Sequence, residues 1–400
     1  MKKIKFFSLL IIFTTLVINS CVEPIEIESI TFEDALVVEA TITNEFKHQE
    51  INLSRTFMLE EDGPLPESNA DVRVIDGSQN VFLFQETEPG KYVSTTQFNA
   101  VPNNEYQLMI VTNNGREYQS QTVTLTANTS EIEEVKAIQD SNETEGLDGV
   151  SIQVTSFDPT GNSRLYRYEY EETYQIIAPN WSARDAIIIS ETPPEVDVAP
   201  RSQEERVCYN TIKSNTIIQT ETTDLSEDRV SNRLIRFIPS DDFIIRSRYS
   251  ILVKQFVQSL ESFTFYRVLN ELSSSESLFS QIQPGFLAGN MISVTDPSEN
   301  VVGFFDVSSV SEERIFFNYR DVFPDPFQPL PDYITSCEVD APLLDGGLIN
   351  TIRTRRLTFV DTNDVPGDII APGGPFVMVT AACGDCTMLG SNIEPDFWID

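Results

Sequence analysis

The chain has 400 residues, with 62 acidic against 27 basic side chains and a formal net charge of −35. So anionic a surface disfavours nucleic acid and anionic lipid as partners. A hydrophobic fraction of 40% excludes a disordered chain, and the length suits two or three domains with sizeable cores.

Lys2, Lys3 and Lys5 precede an almost unbroken apolar run from Phe6 to Ile18, and Asn19-Ser20 place small side chains before Cys21. That order of charge, apolar core and small residues is the anatomy of a secretory signal. The run is too short and too N-terminal for a membrane span, which needs about 20 residues. Val17-Ile18-Asn19-Ser20-Cys21 resembles a bacterial lipobox, in which the cysteine is acylated with palmitate-type chains and becomes the first residue of the mature protein. Residues 1–20 are then expected to be removed, taking three lysines and no acid and leaving a charge of −38. Residues 21–34 read as a short acidic tether; Glu23, Glu26 and Glu28 leave the membrane face, periplasmic or cell-surface, open.

From residue 35 the chain alternates as strands do, with Val38, Ala40 and Ile42 on one face and Val37, Glu39 and Thr41 on the other. Residues 51–57, 70–76, 81–84, 92 onward, 106–111 and 117–125 continue the pattern, separated by turn signals at Gly63-Pro64, Gly77-Ser78, Gly90 and Asn113-Asn114-Gly115. About seven short strands over residues 35–127 describe an Ig-like β-sandwich. On Ala70-Asp71-Val72, Gly90-Lys91-Tyr92 and Asn104-Glu105-Tyr106 the stretch resembles the transthyretin-like, carboxypeptidase-regulatory-like sandwich.

Residues 128–149 are polar and acidic and read as a linker. A second, larger β-rich domain is expected over 150–400. Strands are predicted at 150–154, 166–170, 249–258, 292–294, 301–306, 314–318, 357–360 and 376–380. Residues 179–206 hold four prolines and few periodic apolar positions, so they are expected to be an irregular insertion. Leu260, Phe263, Tyr266, Leu269 and Leu272 recur at helical spacing and predict one short helix near 260–273. Phe323 to Pro331 is a proline-rich loop.

Cys208, Cys337, Cys383 and Cys386 are an even set in an exported chain, where disulfides are the default. A Cys383–Cys386 bond would close a very small loop and gain little. The favoured pairing therefore ties each of the two to Cys208 or Cys337, with connectivity open. A redox Cys-x-x-Cys and a zinc site are the competing readings; the first normally sits where a strand meets a helix, the second draws two close pairs. The lone histidine, His48, supports neither a nucleophilic triad nor a multi-histidine zinc site. No glycine-rich phosphate loop is present. Asp361 to Asp368 cluster oxygen ligands without an EF-hand register, and the many acids make any glycosidase-like pair uninformative. No cofactor, metal or enzymatic activity is expected.

Near the C-terminus, Cys383-Gly384-Asp385-Cys386, Gly390, Asn392 and Pro395-Asp396-Phe397-Trp398 resemble the DUF4249 family of Bacteroidetes lipoproteins. So do residues 249–255, Phe279, Gln283-Pro284, Gly289-Asn290, residues 302–305 and Arg314-Ile315-Phe316, so that the resemblance spans most of 24–398. Glu394 stands where a basic residue is expected. The resemblance implies a non-enzymatic lipoprotein of the outer membrane that partners a TonB-dependent transporter or similar envelope assembly. Trp398 is then either the closing clamp of the fold or a partner contact. The alternative is a free-standing cell-surface glycan- or peptide-binding lipoprotein that stacks its ligand on Tyr166, Tyr168, Tyr170 or Trp181.

Overall fold

The computed structural model describes residues 34–58, 63–125, 130–142, 146–274, 287, 289–344, 347–365 and 368–399. The leader, Cys21 and most of the tether lie outside the described residues, as do Phe279 and Gln283-Pro284. The protein is mainly β, with half of its residues in strands and about a tenth in helices.

Strand Leu36–Thr43 buries Leu36, Val38, Ala40 and Ile42 on one face, as its alternation predicts. It pairs antiparallel with Glu50–Arg55 on one side. On the other it pairs in parallel with Val301–Ser308, from a strand some 260 positions later. Tyr92, Tyr106, Leu108 and Tyr118 come from the following hairpins to close the core over it. That core also takes Met291, Val301, Phe305 and Val307, so the first sandwich is completed by residues from the far part of the chain.

The sequence shows two apolar runs at 301–306 and 314–318; the structure joins them as one 18-residue strand, Val301–Asn318. Its first half lies beside Leu36–Thr43, and from Ser309 its second half pairs antiparallel with Arg248–Val257. The sheet continues outward through Leu165–Ile177 to Val207–Lys213. One strand therefore serves both parts of the molecule. Gly303 permits the junction: its φ is +121°, and a Cβ there would stand 2.0 Å from the Val38 carbonyl oxygen.

Two expectations are corrected. The stretch 128–149, read as a linker, is strand at Ile132–Asn142 and strand again from Leu147, in a three-stranded sheet with Asp228–Pro239. Its polar side chains lie on the open face while Val135 turns inward, so polarity hid the strand. Residues 179–206 are not irregular: Arg184–Glu191 and Pro194–Pro200 form a hairpin. Pro193 sits in its turn, while Ala186, Val196 and Val198 pack on Phe359, Phe376 and Met378.

The predicted helix is present at Leu260–Ser274 and buries Phe263 and Phe265, though Leu260 stays exposed. A second helix, Gly347–Thr354, was not legible; it buries Leu348 and Ile349, and Leu348 and Ile352 pack with the hairpin. Among the described residues no helix is long and apolar enough to cross a membrane.

Candidate functional site

The C-terminal segment is organised by its cysteines. Strand Phe376–Thr380 runs into the short helix Ala381–Gly384 and the 3-10 turn Cys386–Met388. Cys383 bonds Cys337, and Cys386 bonds Cys208 on Val207–Lys213, the outer strand of the large sheet. The Cys-x-x-Cys is thus divided between two distant partners, with both of its sulfurs buried. Backbone bonds reinforce the staple: the Cys386 N–H donates to Glu205 O at 2.9 Å, and the Asn180 N–H to Cys383 O at 2.9 Å.

Between this staple, the 184–200 hairpin, helix Gly347–Thr354 and strand Leu357–Thr362 lies a cavity of about 360 Å³. Ile188, Ile352, Leu357 and Met378 give it aliphatic walls, and Met388 stands at its rim, 54% exposed. Three guanidinium groups, Arg201, Arg353 and Arg355, are balanced by Asp185, Glu205 and Asp385. Arg201 is the fixed one. Its side chain is 6% exposed, its Nε donates to Ser182 O at 3.0 Å, and its Nη1 pairs with Glu205. Its Nη2 lies 3.7 Å from Asp185 Oδ2, too far for a hydrogen bond, and is buried with no hydrogen-bond partner. Asp385 is held by the Thr387 N–H at 2.9 Å and hydroxyl at 2.5 Å.

A second feature adjoins the staple. The loop after Phe323 is tied down along its length: Arg320 donates to the Asp325 and Gln328 carbonyls, Tyr319 Oη to Pro329 O at 3.2 Å, and Arg246 to Pro331 O. Tyr333 Oη donates to Ala382 O at 2.8 Å and so joins the loop to the disulfide segment; burial pushes its phenol up to about 12. Phe327 projects from this held backbone 92% exposed, followed by Leu330 at 40% and Ile334 at 53%.

The residues singled out by sequence are placed otherwise. Tyr166 and Tyr168 are fully buried, bonded to Asp228 Oδ1 at 2.8 Å and Gln255 Oε1 at 3.0 Å, and Tyr170 is half-buried against the same core. They form no open platform, because the three-stranded sheet of Ile132–Asn142, Leu147–Asp158 and Asp228–Pro239 packs over that core. Trp181 is half-buried on that core, and its Nε1 is enclosed without a hydrogen-bond partner. Trp398 is 7% exposed, edge-on to Tyr209 at 4.9 Å and Phe316 at 5.7 Å, which makes it part of the packing rather than a free contact. Phe397 lies under the Arg314 guanidinium at 3.6 Å. His48 is exposed and meets Ser94 O through Nδ1 at 2.6 Å. In the 361–368 loop, Asn363 bridges to Ile370 and Gly374, while residues 366 and 367 lie outside the described residues. Among the described residues no three His, Cys, Asp or Glu side chains are grouped to hold a metal.

Arg201 and Phe327 were not singled out by sequence. The first is one arginine after a proline, the second one ring in a proline-rich loop, and only burial and exposure distinguish them.

Comparison with curated proteins gives no match. Among solved structures, a DUF4785 family protein from Legionella pneumophila aligns at 8% identity and a TM-score of 0.18, over 55% of this chain and 51% of that one. The chain thus spans about half the length of that protein, and at that score the similarity carries no argument. The family described as "Domain of unknown function (DUF4249)" matches residues 22–314, which excludes the C-terminal cysteine and tryptophan signature but covers most of the chain. The chain belongs to the DUF4249 family.

Proposed function

We propose that this protein is a lipid-anchored outer-membrane protein that acts, without chemistry of its own, as accessory or binding partner of a TonB-dependent transporter or similar envelope assembly. The observation that carries the partner role is the loop around Phe327. An aromatic ring at 92% exposure costs free energy in water, yet here the backbone beneath it is fixed by two arginines and a tyrosine. A rigid, pre-exposed aromatic loses little entropy on docking and is the residue type that dominates interfaces. Leu330 and Ile334 extend the apolar face along the same segment.

The anchor rests on the charge, apolar run and small residues before Cys21, with the family match opening at residue 22. The segment from Cys21 to the first strand at Leu36 spans at most about 50 Å when extended. That reach lets the body stand clear of the lipid and meet a membrane-embedded partner from one side.

Two variants test the reading. Cys21→Ser should leave a folded protein in the soluble fraction, and its retention in membranes would remove the anchor. In a detergent extract, affinity purification should recover an envelope partner with the native chain. Phe327→Asp should lose that partner while the thermal midpoint stays unchanged. A lone chain from the native extract, or equal recovery with Phe327→Asp, would count against the partner role.

A further inference from the structure

The cavity behind the hairpin is independent of both the anchor and the Phe327 loop. We infer that it binds a medium-chain aliphatic carboxylate, with the alkyl chain among its aliphatic walls and the carboxylate on the guanidinium of Arg355 at its mouth.

The inference starts from how the charges around the cavity are used. Its three acids are turned to the protein. Asp185 accepts from the Ala186 N–H at 2.9 Å through Oδ1 and faces Arg201 through Oδ2. Glu205 accepts from Arg201 Nη1 and from the Gln203 side chain at 3.3 Å, and Asp385 from the Thr387 N–H and hydroxyl. Of the three arginines, Arg201 is held by the first two of these acids, and Arg353 pairs with Glu191 at 2.5 Å. That leaves Arg355. It is exposed and lines the cavity, and among the described residues its guanidinium has no hydrogen-bond or ion-pair partner. Arg356 follows it, also exposed, so the free charge at this opening is positive in a chain of 62 acids and 27 bases.

The backbone and the walls point the same way. Helix Gly347–Thr354 ends on Arg355 at φ +49°, the left-handed position where glycine is the usual residue because a Cβ is strained there. Glycine would end the helix with less strain, so what arginine adds at this position is its side chain. A guanidinium is a forked donor that matches a carboxylate with two parallel hydrogen bonds. Behind it the cavity, about 360 Å³, lies within the size range of small-ligand sites. Ile188, Ile352, Leu357, Met378 and Met388 line it, and no aromatic ring does. Aliphatic walls with two adaptable methionines suit a flexible alkyl chain; a sugar face stacks best on aromatic rings and would find none. One charged end at the mouth and an apolar body within is the form of an aliphatic carboxylate.

The test uses the full chain with its disulfides intact, held in lipid nanodiscs and dialysed to equilibrium against labelled octanoate, octanol or octylammonium. Retention is read above that of empty discs. The native chain should retain octanoate saturably, about tenfold or more tightly than either of the other two probes. Hexanoate should bind more weakly than octanoate by about fourfold per missing methylene. Arg355→Gly suits the left-handed backbone, so its thermal midpoint should hold or rise while its octanoate affinity falls about tenfold or more. Met388→Trp narrows the opening from an exposed position and should weaken octanoate without moving the thermal midpoint. No saturable retention of octanoate by the native chain would overturn the inference, as would equal affinity in Arg355→Gly or in Met388→Trp. Tighter retention of octylammonium would overturn it too, because the acids and not Arg355 would then face the ligand.

Discussion

Asp158 closes the strand Leu147–Asp158, and its carboxylate organises the turn that follows. It accepts from the Thr160 N–H and hydroxyl at 2.8 and 2.7 Å, the Asn162 N–H at 3.1 Å, and the Ser163 N–H and hydroxyl at 3.0 and 2.8 Å. Burial alone would push the carboxyl up, but these donors outweigh it and hold it at about 2. The folded value lies below the unfolded one, so the stabilisation is complete above pH 4–5 and is lost as pH falls from about 3.8 through about 2. The difference corresponds to about 2 kcal/mol. Asp158→Asn should lower stability by that amount at pH 7 and flatten the acid limb of a plot of urea-unfolding free energy against pH. An unchanged acid limb would show that the turn draws nothing from the charge. At the same scale, sequence alternation correctly put Tyr166 and Tyr168 on strands. It could not tell a core face from a ligand platform, since both require the same period of two.

Among the elements, Val301–Asn318 decides most. Local alternation made its two ends visible as strands, and the hairpins of the first sandwich were equally legible from their Asn-Gly and Gly-Ser turns. The parallel pairing of Leu36–Thr43 with Val301–Ser308 was not, because a contact across some 260 positions leaves no mark on the residues between. The 184–200 hairpin was hidden by prolines that the structure places in its turn and at its second strand's ends. The cavity was hidden with it, since two of its walls are that hairpin and an unforeseen helix. Gly303 is where the shared strand meets its parallel neighbour, with positive φ and no room for a Cβ beside Val38 O. Gly303→Ala should therefore cost about 3 kcal/mol or more, through backbone strain and through displacement of the neighbouring strand. Both parts of the protein should lose stability together. Denaturation followed by near-UV dichroism, and by hydrogen exchange on each side of the shared strand, would check it; loss confined to the first sandwich would mean that the strand's two halves are uncoupled.

For the whole molecule, the sequence divides more readily than the fold does. Composition places a boundary near residue 127, yet the sheet runs unbroken from Val207–Lys213 through Leu165–Ile177, Arg248–Val257 and Val301–Asn318 into Leu36–Thr43. The disulfides bind the other end, with sequence separations of 178 and 46. Loops of those lengths correspond to about 4–5 kcal/mol each in the chain-entropy picture, less when one lies inside the other. A fragment of residues 34–125 holds every strand that sequence assigns to the first sandwich, but it lacks two that the structure supplies. Without Met291–Ser293 the strand Glu117–Ser120 loses its outer partner, and without Val301–Ser308 the edge of Leu36–Thr43 is bare. Phe305, Val307 and Met291 would also be missing from the core. That fragment should be unfolded or aggregating by dichroism and gel filtration, since an open apolar edge strand invites self-pairing. Joining residues 289–308 to it through a flexible glycine-serine linker should restore a cooperative thermal transition, because the linker needs only to replace the path the chain takes through the second region. If residues 34–125 melted cooperatively alone, the first sandwich would be a domain in its own right. If the joined fragment also stayed unfolded, the second half of the shared strand and its partner Arg248–Val257 would have to belong to the same folding unit.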